Sequence, residues 1–175
     1  MLNLKLTDEV RNYANRQISI KNFGVRSAGF NGTRIQQYTG IVGECMLHKA
    51  LDKDLPTYNS GSLIDDIKIN NKKVDIKTMA RTVDMRDFYV HNFVGYQKDR
   101  DNDVLLFISI NKTTGNVQIC GWLDKKKFLE QASFFDKGSV RTRTDGSTFV
   151  TRAPLYEIEN KNLNQINTIE DIKKI

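Results

Sequence analysis

Two cysteines, Cys45 and Cys120, are all that the 175 residues carry, and each stands alone in an apolar stretch. This argues against a disulfide scaffold or a cysteine-bound metal and reads as reduced packing residues in a cytosolic protein. Proline occurs twice, and no Pro-, Gly- or Ser-rich tract or internal repeat divides the chain. No apolar run approaches the roughly 20 residues of a membrane helix. The first residues, "MLNLKLTDEVRNYANRQ", lack the apolar centre of a signal peptide, so no membrane partner is expected. There is no GxxxxGK[ST], GxGxxG or GxSxG, which removes the usual phosphate-binding loops and the serine nucleophile elbow. Only two histidines are present. His48 follows Glu44 by one helical turn, but no further ligand stands at zinc spacing, so it reads as a helix-flank residue. His91, in "FYVHNF", has aromatic neighbours and lacks the rest of a histidine-based nuclease motif.

What remains is globular and basic. Hydrophobic residues make up 39% and charged residues 27%, enough for one domain with its own core. The net charge of +6 points toward a polyanionic partner. Thr7 caps a helix over residues 7–20, with Asp8 and Glu9 in its first turn. A second helix covers "IQQYTGIVGECMLHKALDK", whose broad apolar surface includes Ile41, Val42, Cys45, Met46, Leu47 and Leu51. Gly43 inside it costs about 1 kcal/mol relative to alanine, so close packing is the expected reason for it. "DVLLFISI" and "VQICGWL" are buried strands joined by the "KTTGN" turn. "DKKKFLEQASFF" reads as a third helix capped by Asp124, and "LYEIEN" as a last strand. The whole is an α/β domain with a mixed central sheet flanked by helices. Residues 1–35 form a helical extension, 36–122 the core, and 123–175 a C-terminal helix and strand.

The chemistry concentrates in "SLIDDIKINNKKVDIKTMA", residues 62–80. A two-residue turn at Asn70-Asn71 pairs Ile69 with Lys72 and Ile67 with Val74. Ile67, Ile69, Val74 and Ile76 then share the core face, and Asp66, Asp75 and Lys77 the other. In this register Asp66 faces Asp75, with Cβ atoms about 5 Å apart. Like charges so placed repel, and a divalent cation removes the penalty; hard oxygen ligands suit Mg²⁺ or Mn²⁺. Lys77, beside the pair, is placed to orient a water or to stabilise charge on a phosphate. A bare D-x-K also fits a solvated hairpin with surface ion pairs. Five cations, Lys68, Lys72, Lys73, Lys77 and Arg81, add the basic field that a phosphodiester needs. Glu44 stands at the edge of the second helix's apolar surface, as a snorkelling surface group or as a third ligand.

The order of these parts, a helix with Glu44, a strand with Asp66, then V-D-I-K-T with Asp75 and Lys77, resembles the PD-(D/E)xK, or restriction-endonuclease-like, nuclease superfamily. The resemblance spans residues 36–122. It departs from the pattern in having Asp65 where proline stands before the first acid, and in offering only "GYQK" against the glutamine–tyrosine motif of the exonuclease-like branch. It implies Mg²⁺ held by Asp66, Asp75 and the main-chain carbonyl of Ile76, with Glu44 adding a contact. It also implies that Lys77 assists the attacking water. The function it implies is Mg²⁺-dependent endonucleolytic cleavage of DNA, with a homodimer where both strands are cut; cleavage of RNA instead is a third reading that differs only in substrate. The rival is a nucleic-acid-binding or assembly module that keeps the fold without turnover. Beyond the hairpin, Arg141, Arg143 and Arg152 in "GSVRTRTDGSTFVTR" read equally as a phosphate-tracking hairpin or a solvated loop. The Asn- and Lys-rich composition suits a phage or mobile element acting in a bacterial cytoplasm.

Overall fold

The computed structural model describes residues 1–23, 32–58, 67–143 and 146–175. In chain order they form β1 (Leu2–Lys5), α1 (Asp8–Ile20), α2 (Arg34–Ala50), β2 (Ile67–Ile69), β3 (Lys72–Arg81) and β4 (Val90–Val94). A short 3-10 turn at Gly95–Gln97 leads to β5 (Val104–Asn111), β6 (Asn116–Asp124), α3 (Lys125–Gln131), β7 (Ser133–Phe135) and β8 (Val140–Thr142). Then come β9 (Thr148–Val150), β10 (Leu155–Glu159), β11 (Asn164–Gln165) and α4 (Ile169–Ile172). The architecture is mixed α/β, with a curled mixed sheet.

The main sheet runs β1-β6-β5-β3-β2, with β11 also on β6. Only β3 and β5 are parallel; the other pairs are antiparallel. All eight residues of β5 are buried, because strands flank it and layers cover both faces. On one face α1 and α2 close a core around Val10, Val42, Leu47, Val74, Leu106 and Ile119. On the other, α3 and a second sheet, β4-β10-β7, close a core around Phe93, Leu105, Phe107, Phe128 and Ile158. The Phe93 and Phe128 rings meet edge-on at 5.6 Å.

Both long helices begin where their caps dictate. The Thr7 hydroxyl accepts from the Val10 amide at 3.3 Å. Thr33 and Gln36 form a reciprocal capping box at the start of α2. The hairpin pairs as expected, Ile69 with Lys72 and Ile67 with Val74. Its turn places Asn70 at φ 47° and Asn71 at φ 66°, the left-handed pair of a type I′ turn. Asn71→Gly relieves the residual cost of a side chain at this φ, and a gain of about 0.5 kcal/mol in chemical denaturation is expected. Ile67, Ile69, Val74 and Ile76 all lie buried in the first core.

The structure departs from the sequence pattern at three places. The N-terminal segment is more than a helical extension, because β1 pairs with β6 in the main sheet. The third helix ends at Gln131, and Ser133–Phe135 forms β7 on β10, where the Phe134 ring packs tilted against Tyr156 across the strand pair at 4.9 Å. Asp124 stands at the cap of α3 but makes no side-chain capping bond; Lys72 and Lys127 take its carboxylate.

Candidate functional site

Strand β3 sets the centre. Alternation turns Val74 and Ile76 into the first core and places Asp75 and Lys77 on the opposite face, beside Leu105 and Phe107 of β5. Asp75 is only 4% exposed. Its Oδ1 accepts from the Lys77 ammonium at 2.7 Å, while its Oδ2 is buried with no hydrogen-bond partner. The same ammonium donates to Oε1 of Gln97 at 2.8 Å and lies 5.4 Å from the centre of the Phe93 ring.

Helix α2 brings the next carboxyl. It meets β3 at Gly43, where a Cβ would fall 1.9 Å from Oγ1 of Thr78. Only a residue without a side chain allows that approach, which is the reason for a glycine inside this helix. Glu44 follows it. Burial raises the Glu44 carboxyl from 4.5 to about 7; the Asp75 charge adds to the rise, and the Tyr58 hydroxyl and Lys77 oppose it. The Tyr58 hydroxyl donates to Oε2 of Glu44 at 2.6 Å. Tyr58 is held by an edge-on contact of its ring with Phe23 at 5.0 Å, and the neighbouring Pro56 carbonyl accepts from Tyr13. A further cation borders the group. The ammonium of buried Lys125 donates to the carbonyl of Arg100 and to Oδ1 of Asn102, and it senses the charges of Asp75 and Lys77.

Of the expected site, Asp75 and Lys77 pair directly, with Ile76 between them in the chain, and the Glu44 carboxyl feels both of their charges. Asp66 lies outside the described residues, so the facing pair of acids does too. Among the described residues no three His, Cys, Asp or Glu side chains gather into a metal-binding cluster. The two carboxylates present still fit a divalent cation: they lie close enough for one charge to shift the other's proton affinity, and Asp75 offers a buried oxygen without a donor. Gln97, Tyr58 and Lys125 carry no motif. "GYQK" is a mismatch to the glutamine–tyrosine motif, and nothing in the sequence links these positions to Lys77 or Glu44.

The cations expected to meet nucleic acid separate into two groups. Lys68, Arg143 and Arg152 are exposed, with the Arg143 guanidinium 4.5 Å from the centre of the Phe149 ring. The rest are engaged within the fold. Lys72 pairs with Asp124, Lys73 with Asp101, and Arg141 with Glu157 at 2.7 Å. Arg81 donates to the Val90 carbonyl and lies against the Tyr89 ring, where burial lowers its proton affinity. The strands β8 and β9 do form a hairpin, with Arg141 facing Phe149.

The remaining candidates are structural. His48 uses Nδ1 on the Asp54 carbonyl at 2.7 Å, as a helix-flank residue does. His91 is buried against Phe107, and burial pushes it down to about 4. Cys45 and Cys120 are free and buried. Trp122 packs at the border of the first core with Lys72 over its ring. Among the described residues no helix is long and apolar enough to cross a membrane. No family model, no curated protein and no solved structure matches this chain.

Proposed function

We propose that the protein is a metal-dependent nuclease that hydrolyses DNA phosphodiesters on a restriction-endonuclease-like core. The reading rests on one observation: the Asp75–Lys77 ion pair of β3, whose charges the Glu44 carboxyl of α2 feels, has the second oxygen of Asp75 buried without a donor. A buried carboxylate oxygen left unpaired costs about 1–3 kcal/mol, and a cation offsets that cost.

In this reading Asp75 and Glu44 hold Mg²⁺, for which Mn²⁺ substitutes. Asp66 and the carbonyl of Ile76 are the further ligands that the family resemblance implies. Bound Mg²⁺ supplies neutralisation of the scissile phosphate and a water of lowered pKa. The Lys77 ammonium would orient the attacking water and meet the charge that grows on the phosphate oxygens in the transition state. Its 2.7 Å bond to Asp75 keeps it in place. Glu44, whose proton affinity burial raises to near neutrality, would serve as a ligand in its deprotonated form. Lys68, Arg143 and Arg152 are the exposed cations available to track the backbone of the DNA. A homodimer follows where both strands are cut, and the expected setting is a bacterial cytoplasm.

Incubating the purified protein with supercoiled plasmid and Mg²⁺ tests the proposal. Nicking or linearisation is expected, with loss of at least about a hundredfold in Asp75→Ala and in Lys77→Ala. A gel shift without cleavage would instead favour the non-catalytic binding module. Cleavage that persists in both variants would place the activity elsewhere. Labelled RNA alongside labelled DNA separates the two substrates.

A further inference from the structure

We infer that Gln97 is the positioning residue of the Lys77 ammonium. An ammonium has three N–H donors. Asp75 takes one at 2.7 Å and Gln97 takes a second at 2.8 Å, which leaves one for a water or a phosphate oxygen. The Phe93 ring closes a further side at 5.4 Å. A lysine on a four-carbon stem has many rotamers, and two fixed acceptors plus a ring face reduce them to one. Asp75 alone does not do this, because a carboxylate that takes up a cation turns part of its charge away from the lysine. Gln97 is neutral and competes far less for the cation, so its grip holds whether or not the metal is there.

The turn that carries Gln97 is itself rigid. Gln97 is only 6% exposed. The Gly95 amide donates to the Pro154 carbonyl at 2.7 Å, and a Cβ on Gly95 would lie 2.7 Å from Cβ of Pro154. The Lys98 amide closes the turn on the Gly95 carbonyl at 3.1 Å. The acceptor is thus fastened to the segment before β10, independently of β3. The charge on Lys77 also fixes the amide orientation: oxygen, not nitrogen, must face the ammonium.

The inference concerns the ammonium itself; only its effect on rate rests on the nuclease reading. Two measurements separate the claims. In a ¹H–¹⁵N spectrum of lysine ammonium groups, those held by hydrogen bonds away from solvent give signals. The Lys77 signal is identified by its loss in Lys77→Arg. It is expected to vanish in Gln97→Met and to return in Gln97→Glu, which restores an acceptor, while the signal of buried Lys125 persists in all three. A Lys77 signal unchanged in Gln97→Met overturns the inference. In the cleavage assay, Gln97→Met is expected to lower kcat by roughly tenfold to a hundredfold with KM nearly constant, because orientation rather than binding is lost. A wild-type kcat in that variant overturns the claim that this positioning sets the rate. If the wild type does not cleave, the nuclease reading fails, and the ammonium signals alone decide the role of Gln97.

Discussion

Gly43→Ala is expected to destabilise the protein by about 2 kcal/mol or more and to lower Tm by on the order of 5 °C. Two effects oppose each other. Alanine improves helix propensity by about 1 kcal/mol. Its methyl, however, would enter at 1.9 Å from Oγ1 and 2.9 Å from both Cβ and Cγ2 of Thr78. No side-chain rotation removes a clash with a Cβ, so α2 must back away from β3. The steric term wins because interiors are packed too densely to absorb the shift. The displacement also shifts Glu44 relative to Asp75, so the proposed cleavage should fall further than the folded fraction does. Thr78→Ala supplies the control. The Thr78 hydroxyl is buried with no hydrogen-bond partner, so its removal costs little by itself. In the double variant it deletes Oγ1 and Cγ2 and leaves only Cβ at 2.9 Å, so partial recovery is expected. Thermal denaturation of the four proteins, read as a cycle, should give a favourable coupling energy. Strict additivity would show that the helix and strand do not meet here.

A second large effect should appear when Glu44→Gln is compared with the wild type across pH in the presence of a chelator. The folded wild type holds the Glu44 proton to about pH 7, whereas the ordinary value is 4.5. Below 4.5 both folded and unfolded chains are protonated, and the carboxyl behaves like the amide. Between these values the unfolded chain has lost its proton and the folded chain has not, so stability falls as pH rises. Above 7 the loss is complete, and it amounts to roughly 3 kcal/mol. Glutamine keeps an acceptor for the Tyr58 hydroxyl and does not titrate. The variant should therefore match the wild type near pH 4.5 and exceed it by up to that amount near pH 8, by urea denaturation. A pH-independent difference would place the Glu44 carboxyl in water. Adding Mg²⁺ at pH 8 should stabilise the wild type preferentially, since a bound cation replaces the proton.

Features set by neighbours in the chain were legible in the residues themselves. The Asn70-Asn71 turn, the inward face of the hairpin, the Thr7 cap and the reason for Gly43 all follow from side-chain period, φ preference or helix propensity. Strands β1, β4 and β7 were not legible in that way. Each is three to five residues long and exists because a distant strand offers it a ladder: β6 for β1, and β10 for β4 and β7. Phe135 in particular satisfies a helix pattern as well as a strand pattern, and the β10 partner decides between them. The same holds for the site. Asp75 and Lys77 share a face by strand alternation, which a sequence displays. Gln97, Tyr58 and Lys125 reach the group only through tertiary packing, which it does not. The choice of Asp66 over Asp65 belongs to residues outside those described.

The candidate group lies at the seam between the two hydrophobic layers. Glu44 belongs to the helical layer, Asp75 and Lys77 face the opposite one, and Gln97 hangs from a turn pinned beside the second sheet. Neither half owns a working set. On the proposed function, a chain still emerging during synthesis, or one with a single layer melted, would hold every side chain of the group and still not cleave, so potency would arrive only with the finished molecule.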